Sequence, residues 1–146
     1  MTTSFLIDRL KGSIVIGDAT RLEPYQARAS VEPQVEAFLN RSRDFGNGYE
    51  WLYLDGLSFG GHPASLQLCF EAGCFVHASW SVDLPDAQIE GGWPTRAAID
   101  GEVTFVRHIL TKNMCVPVGK TDWGEVWSHF DKKADLASNG VRYRRS

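Results

Sequence analysis

The sequence lacks the long apolar run that a membrane-spanning helix needs. None of its hydrophobic stretches approaches the roughly 20 residues that cross a bilayer. The apolar patch near its N-terminus is interrupted by Asp8 and Arg9, whereas a secretory signal peptide has an unbroken apolar centre. Three cysteines, an odd number, fit a reducing compartment better than a disulfide-stapled fold. We therefore expect a cytoplasmic protein with no membrane partner.

A strong excess of charge of either sign is also lacking. The net charge is -3 over 146 residues, which is far from the basic surplus typical of nucleic-acid-binding domains. The tail "RYRR" interleaves arginines with Tyr143, and such a pattern can contact nucleic acid. On an acidic chain it is more typical of a guarded edge strand or of local ion pairs. We therefore predict no nucleic-acid partner.

Motifs for phosphate binding and for metal-dependent hydrolysis are missing as well. The stretch "IEGGWPT" puts two glycines before a predicted helix, but bulky Trp93 and Pro94, which has no N–H, stand where a phosphate loop needs backbone donors. The stretch "VGKT" resembles the end of a Walker A loop, yet Met114 occupies the position of its first glycine. The zinc-hydrolase motif H-E-x-x-H does not occur. The sequence thus favours a protein that is not an enzyme.

No set of histidines and cysteines has the spacing of a metal site, so we predict no metal and no other cofactor. The four histidines are His62, His77, His108 and His129. Cys69 and Cys74 are expected on opposite faces of one hairpin, where they cannot pair. Cys69 and His77 are expected to be diagonal neighbours at best. A small apolar thiol beside a strand histidine is the favoured interpretation, and an activated thiolate is the alternative.

The chain does have the length and composition of one globular domain, residues 1–146, with 43% hydrophobic residues. Its periodicities predict an α+β fold, with a meandering, mainly antiparallel sheet and two main helices packed on one face. The first helix is predicted from Ser30 to Arg43, with Pro33 in its first turn. The second is predicted to begin after a Thr95 cap and to run to about Asn113.

Alternating apolar residues predict the strands. Residues 4–12 are expected to form a short helix or strand, and Ser13–Ile16 a strand. Asp55–Gly56 is expected to form the turn of a first hairpin, and a three-residue loop, Glu71–Gly73, that of a second. The core faces of the two hairpins are predicted to carry Leu52, Leu54, Leu57, Phe59, Leu66, Leu68, Phe70, Cys74, Val76, Ala78, Trp80 and Val82.

Two more strands are predicted near the C-terminus, separated by a turn at Ser138–Gly140. In the first of them, "DWGEVWSHF", Trp123 and Trp127 are expected to share one side. The five tryptophans of the chain are a high count, and tryptophan is enriched at the centres of protein interfaces. The alternation leaves several aromatic residues away from the predicted core. The predicted partner-binding residues are Trp93, Trp51, Tyr53 and Phe75, with Asp86 and Glu90 at the rim.

The stretch "ASWSVDLPDAQIEGGWPTRAAID", together with the small size and mild acidity, resembles small cytosolic immunity proteins that bacteria encode beside polymorphic or type VI secreted toxins. The resemblance implies a protein that binds and neutralises a cognate toxin by occluding its active site, and it supplies no catalytic residues. The alternative is a small-molecule binder or enzyme with a pocket near His77, Gln67 and Cys69. A subunit or structural adaptor is a third possibility.

Overall fold

The computed structural model describes residues 2–145. The strands of these residues are β1 Thr3–Ile7, β2 Ile14–Ile16, β3 Thr20–Leu22, β4 Leu39–Asp44, β5 Tyr49–Phe59, β6 His62–Glu71, β7 Cys74–Val82, β8 Ile89–Glu90, β9 Trp93–Pro94, β10 Gly119–Lys120, β11 Gly124–Asp131 and β12 Leu136–Tyr143. The helices are α1 Arg28–Val35, followed by a 3₁₀ turn, Glu36–Phe38, and α2 Arg96–His108, followed by a π-helical turn, Ile109–Asn113. No helix of these residues is long and apolar enough to span a membrane.

One large sheet organises the fold, with the strand order β10-β11-β12-β7-β6-β5-β1-β2-β3, and β4 also pairs with β5. Neighbouring strands in this sheet run antiparallel, except for β1 and β5, which run parallel. The sheet is therefore mixed rather than a purely antiparallel meander. Strands β8 and β9 form a separate two-stranded ribbon. The prediction of an α+β fold is confirmed. In the segment 4–12, predicted as a short helix or strand, residues 4–7 lie in strand β1.

A single hydrophobic core lies between one face of the sheet and the helices. Leu66, Leu68, Phe70 and Trp80 belong to it as predicted, because side chains alternate between the two faces of a strand. The prediction for α2 is also confirmed at its N-terminus. Its cap is Thr95, whose side chain accepts a hydrogen bond from the Ala98 amide.

The first hairpin turns at Gly60–Gly61 rather than at Asp55–Gly56. Both glycines have positive φ, as a tight two-residue turn requires. Asp55–Gly56 instead forms a bulge within β5, where the register with β6 shifts between Leu54 and Leu57. The extra residue explains why Leu54 and Leu57, three positions apart, are both buried.

The second hairpin turns through two residues, Ala72 and Gly73, rather than the three predicted. Gly73 has the expected left-handed conformation, with φ of 79°. The register of β6 against β7 then shifts between Cys69 and Phe70. This bulge places Phe75 opposite Phe70 in the core and Val76 outside it.

The helix predicted from Ser30 to Arg43 ends much earlier, at Val35. The segment after the 3₁₀ turn forms β4, because it can pair with the N-terminal half of β5 and complete that strand's hydrogen bonds. All but one of the β4 residues are exposed, so β4 is an edge strand. Tertiary pairing overrides local helix propensity here.

The turn predicted at Ser138–Gly140 is also wrong, since these residues lie inside β12. Asn139 is buried, and its side-chain amide donates to Trp80 O and to Glu102 of α2, while its Oδ1 accepts from the Ser128 hydroxyl. A residue that usually favours turns is therefore held in a strand by a buried polar network that also ties α2 to the sheet.

Candidate functional site

The face of the sheet opposite α2 carries an aromatic strip, which we define as Trp51, Tyr53, His77 and Trp127. The strand register aligns these residues, since Trp51 pairs with Cys69, Cys69 with His77, and His77 with Arg142. Trp51 and Tyr53 stack at 6.5 Å between ring centroids, and His77 lies 5.4 Å from Trp51 and 5.4 Å from Trp127. All four rings are half-buried. The strip therefore presents a continuous ring surface to solvent across five strands.

Trp127 is held in place by a glycine on the neighbouring strand. Gly140 is its cross-strand partner, and a Cβ at Gly140 would collide with Cζ2 of the Trp127 ring. The indole Nε1 donates a 2.9 Å hydrogen bond to the Ser138 hydroxyl. Trp127 is thus a fixed ring rather than a free surface side chain, which lowers the entropy lost when it binds a partner.

His77 lies at the centre of the strip. Burial, with a smaller contribution from the guanidinium of Arg142, lowers the pKa of His77 to about 4. Its ring is therefore neutral near pH 7. Its buried Nε2 atom has no hydrogen-bond partner within residues 2–145. A buried polar nitrogen without a hydrogen bond lowers the stability of the fold.

Cys69 and His77 face each other directly, not diagonally as predicted, because the bulge beyond Cys69 changes the register. Burial and, to a smaller extent, the charge of Glu71 raise the pKa of the Cys69 thiol to about 11. Thiol and imidazole are therefore both neutral near pH 7. A thiolate–imidazolium nucleophile needs the opposite shifts, so the pair favours the apolar interpretation of Cys69.

Cys69 is expected to react with iodoacetamide much more slowly than Cys115 in the native protein at pH 8. Cys69 is 2% exposed and its thiol stays protonated, whereas Cys115 is exposed. Mass spectrometry of timed aliquots measures the two rates, and a Cys115→Ser variant removes the faster one. If Cys69 were labelled as fast as Cys115, the assignment of an inert thiol would be wrong.

A cavity of about 680 Å³ opens beside the middle of the strip, at His77. Its wall includes Cys69, His77, Tyr49, Arg142 and Arg145. A guanidinium nitrogen of Arg145 lies 2.6 and 2.8 Å from the two carboxylate oxygens of Glu71. Arg142 instead lies 5.6 Å from the Trp127 ring. The cavity therefore combines aromatic walls with one cation that no internal ion pair uses among residues 2–145.

Two arginines of the edge strand β4 extend this positive character to the other side of the strip. Arg41 lies over the Tyr53 ring, 4.4 Å from its centroid, and Arg43 lies over the Phe45 ring at 5.0 Å. Arginines stacked on aromatic rings are partly ordered and keep their donors free for a partner. The face is thus basic at both flanks although the whole chain carries a net charge of -3.

The structure brings together only some of the residues predicted to bind a partner. Trp51 and Tyr53 lie side by side on β5 as predicted. Phe75 does not lie on the exposed face, since it is fully buried and packs against Phe70 and Tyr143. Phe75 changes sides because β7 contains a bulge at Val76, which shifts Phe75 to the core side.

Trp93, Glu90 and Asp86 lie in a separate region. Trp93 and Glu90 pair across the β8–β9 ribbon, and Asp86 is exposed in the preceding loop. Trp93 is 46% exposed, and its indole Nε1 donates to the carbonyl of Asp135 in the β11–β12 turn. That turn joins strands that lie three and four places from β5 in the sheet order, so the ribbon lies at least about 15 Å from Trp51 at the usual strand spacing.

Sequence reasoning missed three contributors to this face: Arg41, Arg142 and the pairing of Trp127 with Gly140. Trp123 and Trp127 do not share one side of a strand as predicted. Trp123 precedes β11, and its ring packs near Tyr143 while its indole N–H donates to Arg9 O. The spacing of Arg41 and Arg43, two residues apart, is compatible with a strand, but both residues fell within the predicted helix.

Gln67, the third residue of the predicted pocket, lies on the same face but is already engaged, because its Oε1 accepts from the Ser79 hydroxyl. Within residues 2–145, no three side chains of the types that bind metals cluster together. Comparisons with known protein families, curated proteins and solved structures found no match for this chain.

Proposed function

We propose that this protein is a non-catalytic immunity protein that binds a cognate secreted bacterial toxin and occludes its active site, and that the aromatic strip is its binding surface. The observation that carries the proposal is the ordered, half-buried set of Trp51, Tyr53, His77 and Trp127 on the sheet face opposite α2. Interface hot spots are rich in tryptophan, tyrosine and arginine. The toxin assignment itself rests on the resemblance of residues 78–100 to immunity proteins.

The arrangement of the strip supports recognition of a protein. A sheet holds its side chains on a rigid frame, so little conformational entropy is lost on binding. Three arginines that form no ion pair within residues 2–145 make up the polar rim that commonly surrounds an aromatic centre. They are Arg41, Arg43 and Arg142. Such a face can cover a partner's cleft without any chemistry of its own. We place the protein in the cytoplasm and propose that it has no nucleic-acid partner.

The second candidate function is binding of a small molecule in the cavity beside His77 and Cys69. The cavity volume of about 680 Å³ favours it, because pockets for small ligands fall in this range. Its mouth is open, however, and the raised pKa of Cys69 and the lowered pKa of His77 make the thiol a poor nucleophile and the imidazole a weak base. We therefore favour binding of a macromolecule over catalysis.

Trp51→Ala is expected to weaken binding to the protein encoded by the adjacent gene by about 2 kcal/mol or more, as central aromatic anchors do. The affinity is measured by calorimetry with purified proteins, after melting curves show that the variant remains folded. Trp93→Ala serves as the comparison, since it removes the same side chain from the separate ribbon.

The outcomes of this comparison separate the possibilities. A loss confined to Trp51→Ala supports the strip, whereas a loss confined to Trp93→Ala would move the binding site to the ribbon with Glu90 and Asp86. If the wild-type protein does not bind the adjacent gene product and does not inhibit it, the immunity proposal is wrong.

A further inference from the structure

We propose that the cavity beside the strip is a receptor for an acidic side chain of the partner, with Arg142 as the group that binds the carboxylate. This inference rests on the proposed function, because it names the chemistry of the partner that the strip would hold. Most of the other polar groups of the cavity wall are already engaged in internal hydrogen bonds or an ion pair.

The tyrosines and the second arginine of the wall are engaged internally. The Tyr25 hydroxyl donates to Arg144 O at 2.6 Å, and the Tyr143 hydroxyl donates to Gly12 O at 2.6 Å. The Tyr49 hydroxyl hydrogen-bonds to Glu71, which raises the pKa of that tyrosine. Arg145 is committed to Glu71. The charge of Arg145 is thereby neutralised locally, and the tyrosine protons are not available to a ligand. Arg142 is left as the wall's uncompensated cation.

Arg142 is also positioned for recognition. It follows Val141 on β12, with its guanidinium near the Trp127 ring, so the ring restricts the arginine without using its N–H groups. A guanidinium presents a planar fork of donors that matches the two oxygens of a carboxylate. His77 beside it is neutral near pH 7 and adds no charge of its own to the site.

The charge distribution selects an acidic occupant over a basic or apolar one. Arg41 and Arg43 flank the strip on the far side, and Arg142 stands at the cavity. Glu125, the cross-strand partner of Arg142, lies outside ion-pair distance of it. A partner segment with carboxylates spaced along the strip would therefore meet positive charge at both ends.

The test titrates the full-length protein with a capped peptide of alternating Glu and Ala and follows the indole and guanidinium N–H signals by NMR, which detects weak binding. We expect saturable shifts of the Trp127 indole N–H and the Arg142 Nε–H up to about 10 mM peptide. Arg142→Gln should weaken this binding at least about tenfold, and Arg142→Lys should restore part of it. Added salt should weaken wild-type binding.

Arg96→Gln is the matched control, because Arg96 is an exposed arginine that stacks on Phe130 at 3.8 Å, away from the cavity. It should leave the binding unchanged. The proposal is overturned if the matching Gln–Ala peptide gives equal shifts, if Arg96→Gln weakens binding as much as Arg142→Gln, or if no saturable shift occurs. Tighter, Arg142-dependent binding of oligouridylate or inorganic phosphate would overturn it in favour of a nucleic-acid or small-anion site.

This experiment does not need the natural partner, so its failure differs from a failure of the proposed function. If the adjacent gene product binds through Trp51 but the peptide does not bind at Arg142, the function stands and the acidic-receptor inference falls. If the peptide binds and the gene product does not, the receptor stands and the toxin assignment falls.

Discussion

Leu68→Ala is expected to lower the free energy of unfolding by about 2–5 kcal/mol, as truncations of fully buried leucines do. Leu68 has no exposed surface and lies in the middle of β6, with Leu52 and Ala78 as its cross-strand partners. Rigid strands surround it on both sides, so the cavity left by the smaller side chain cannot collapse easily. Urea denaturation followed by tryptophan fluorescence measures the effect.

Gln67→Ala is the control, since Gln67 is the preceding residue of the same strand and points to the opposite face. It is half-buried and loses only its contact with the Ser79 hydroxyl, so a change below about 1.5 kcal/mol is expected. Equal losses for the two variants would contradict the assignment of the two faces of β6.

The faces of β6 and the N-terminus of α2 could be predicted because both depend on local periodicity. Leu66, Leu68 and Phe70 alternate with polar residues, and Thr95 precedes a stripe with helical spacing. The same reasoning placed Trp51 and Tyr53 outside the core. Those parts of the fold and of the candidate site follow from the order of neighbouring residues alone.

The rest depended on pairings between distant segments. A bulge in β7 at Val76 reverses the side of Phe75, and nothing in the local alternation marks its position. Leu39–Asp44 becomes a strand because β5 offers it hydrogen bonds. Arg142 reaches the strip only because β12 pairs with β7, more than sixty residues earlier in the chain.

Long-range strand pairings also assemble the aromatic strip. The strip is assembled from β5, β7 and β11, which are not neighbours in the sheet, because β6 lies between β5 and β7. Its continuity depends on the register of β12, which lies between β7 and β11. A substitution in β12 that leaves the core intact should therefore alter the strip, and Gly140 is the residue where this can be tested.

Gly140→Ala is expected to displace the Trp127 ring and to cost about 1–3 kcal/mol of stability, as overpacking substitutions do. The φ angle of Gly140 is not in the left-handed region, so alanine fits the backbone there. Its Cβ would nevertheless collide with the Trp127 ring. To move away, the ring must give up its hydrogen bond to Ser138 and its contact with His77.

The displacement is measured by the chemical shift of the Trp127 indole N–H and by fluorescence quenching with acrylamide, both of which report the exposure of the ring. Trp127→Ala provides the reference, because it removes the ring without changing the backbone. If the strip binds the partner, Gly140→Ala should weaken binding about as much as Trp127→Ala does, although it deletes no atom of the surface. An unchanged indole signal and unchanged affinity would show that Trp127 is not fixed by Gly140, and the strip would lose its ordered fourth ring.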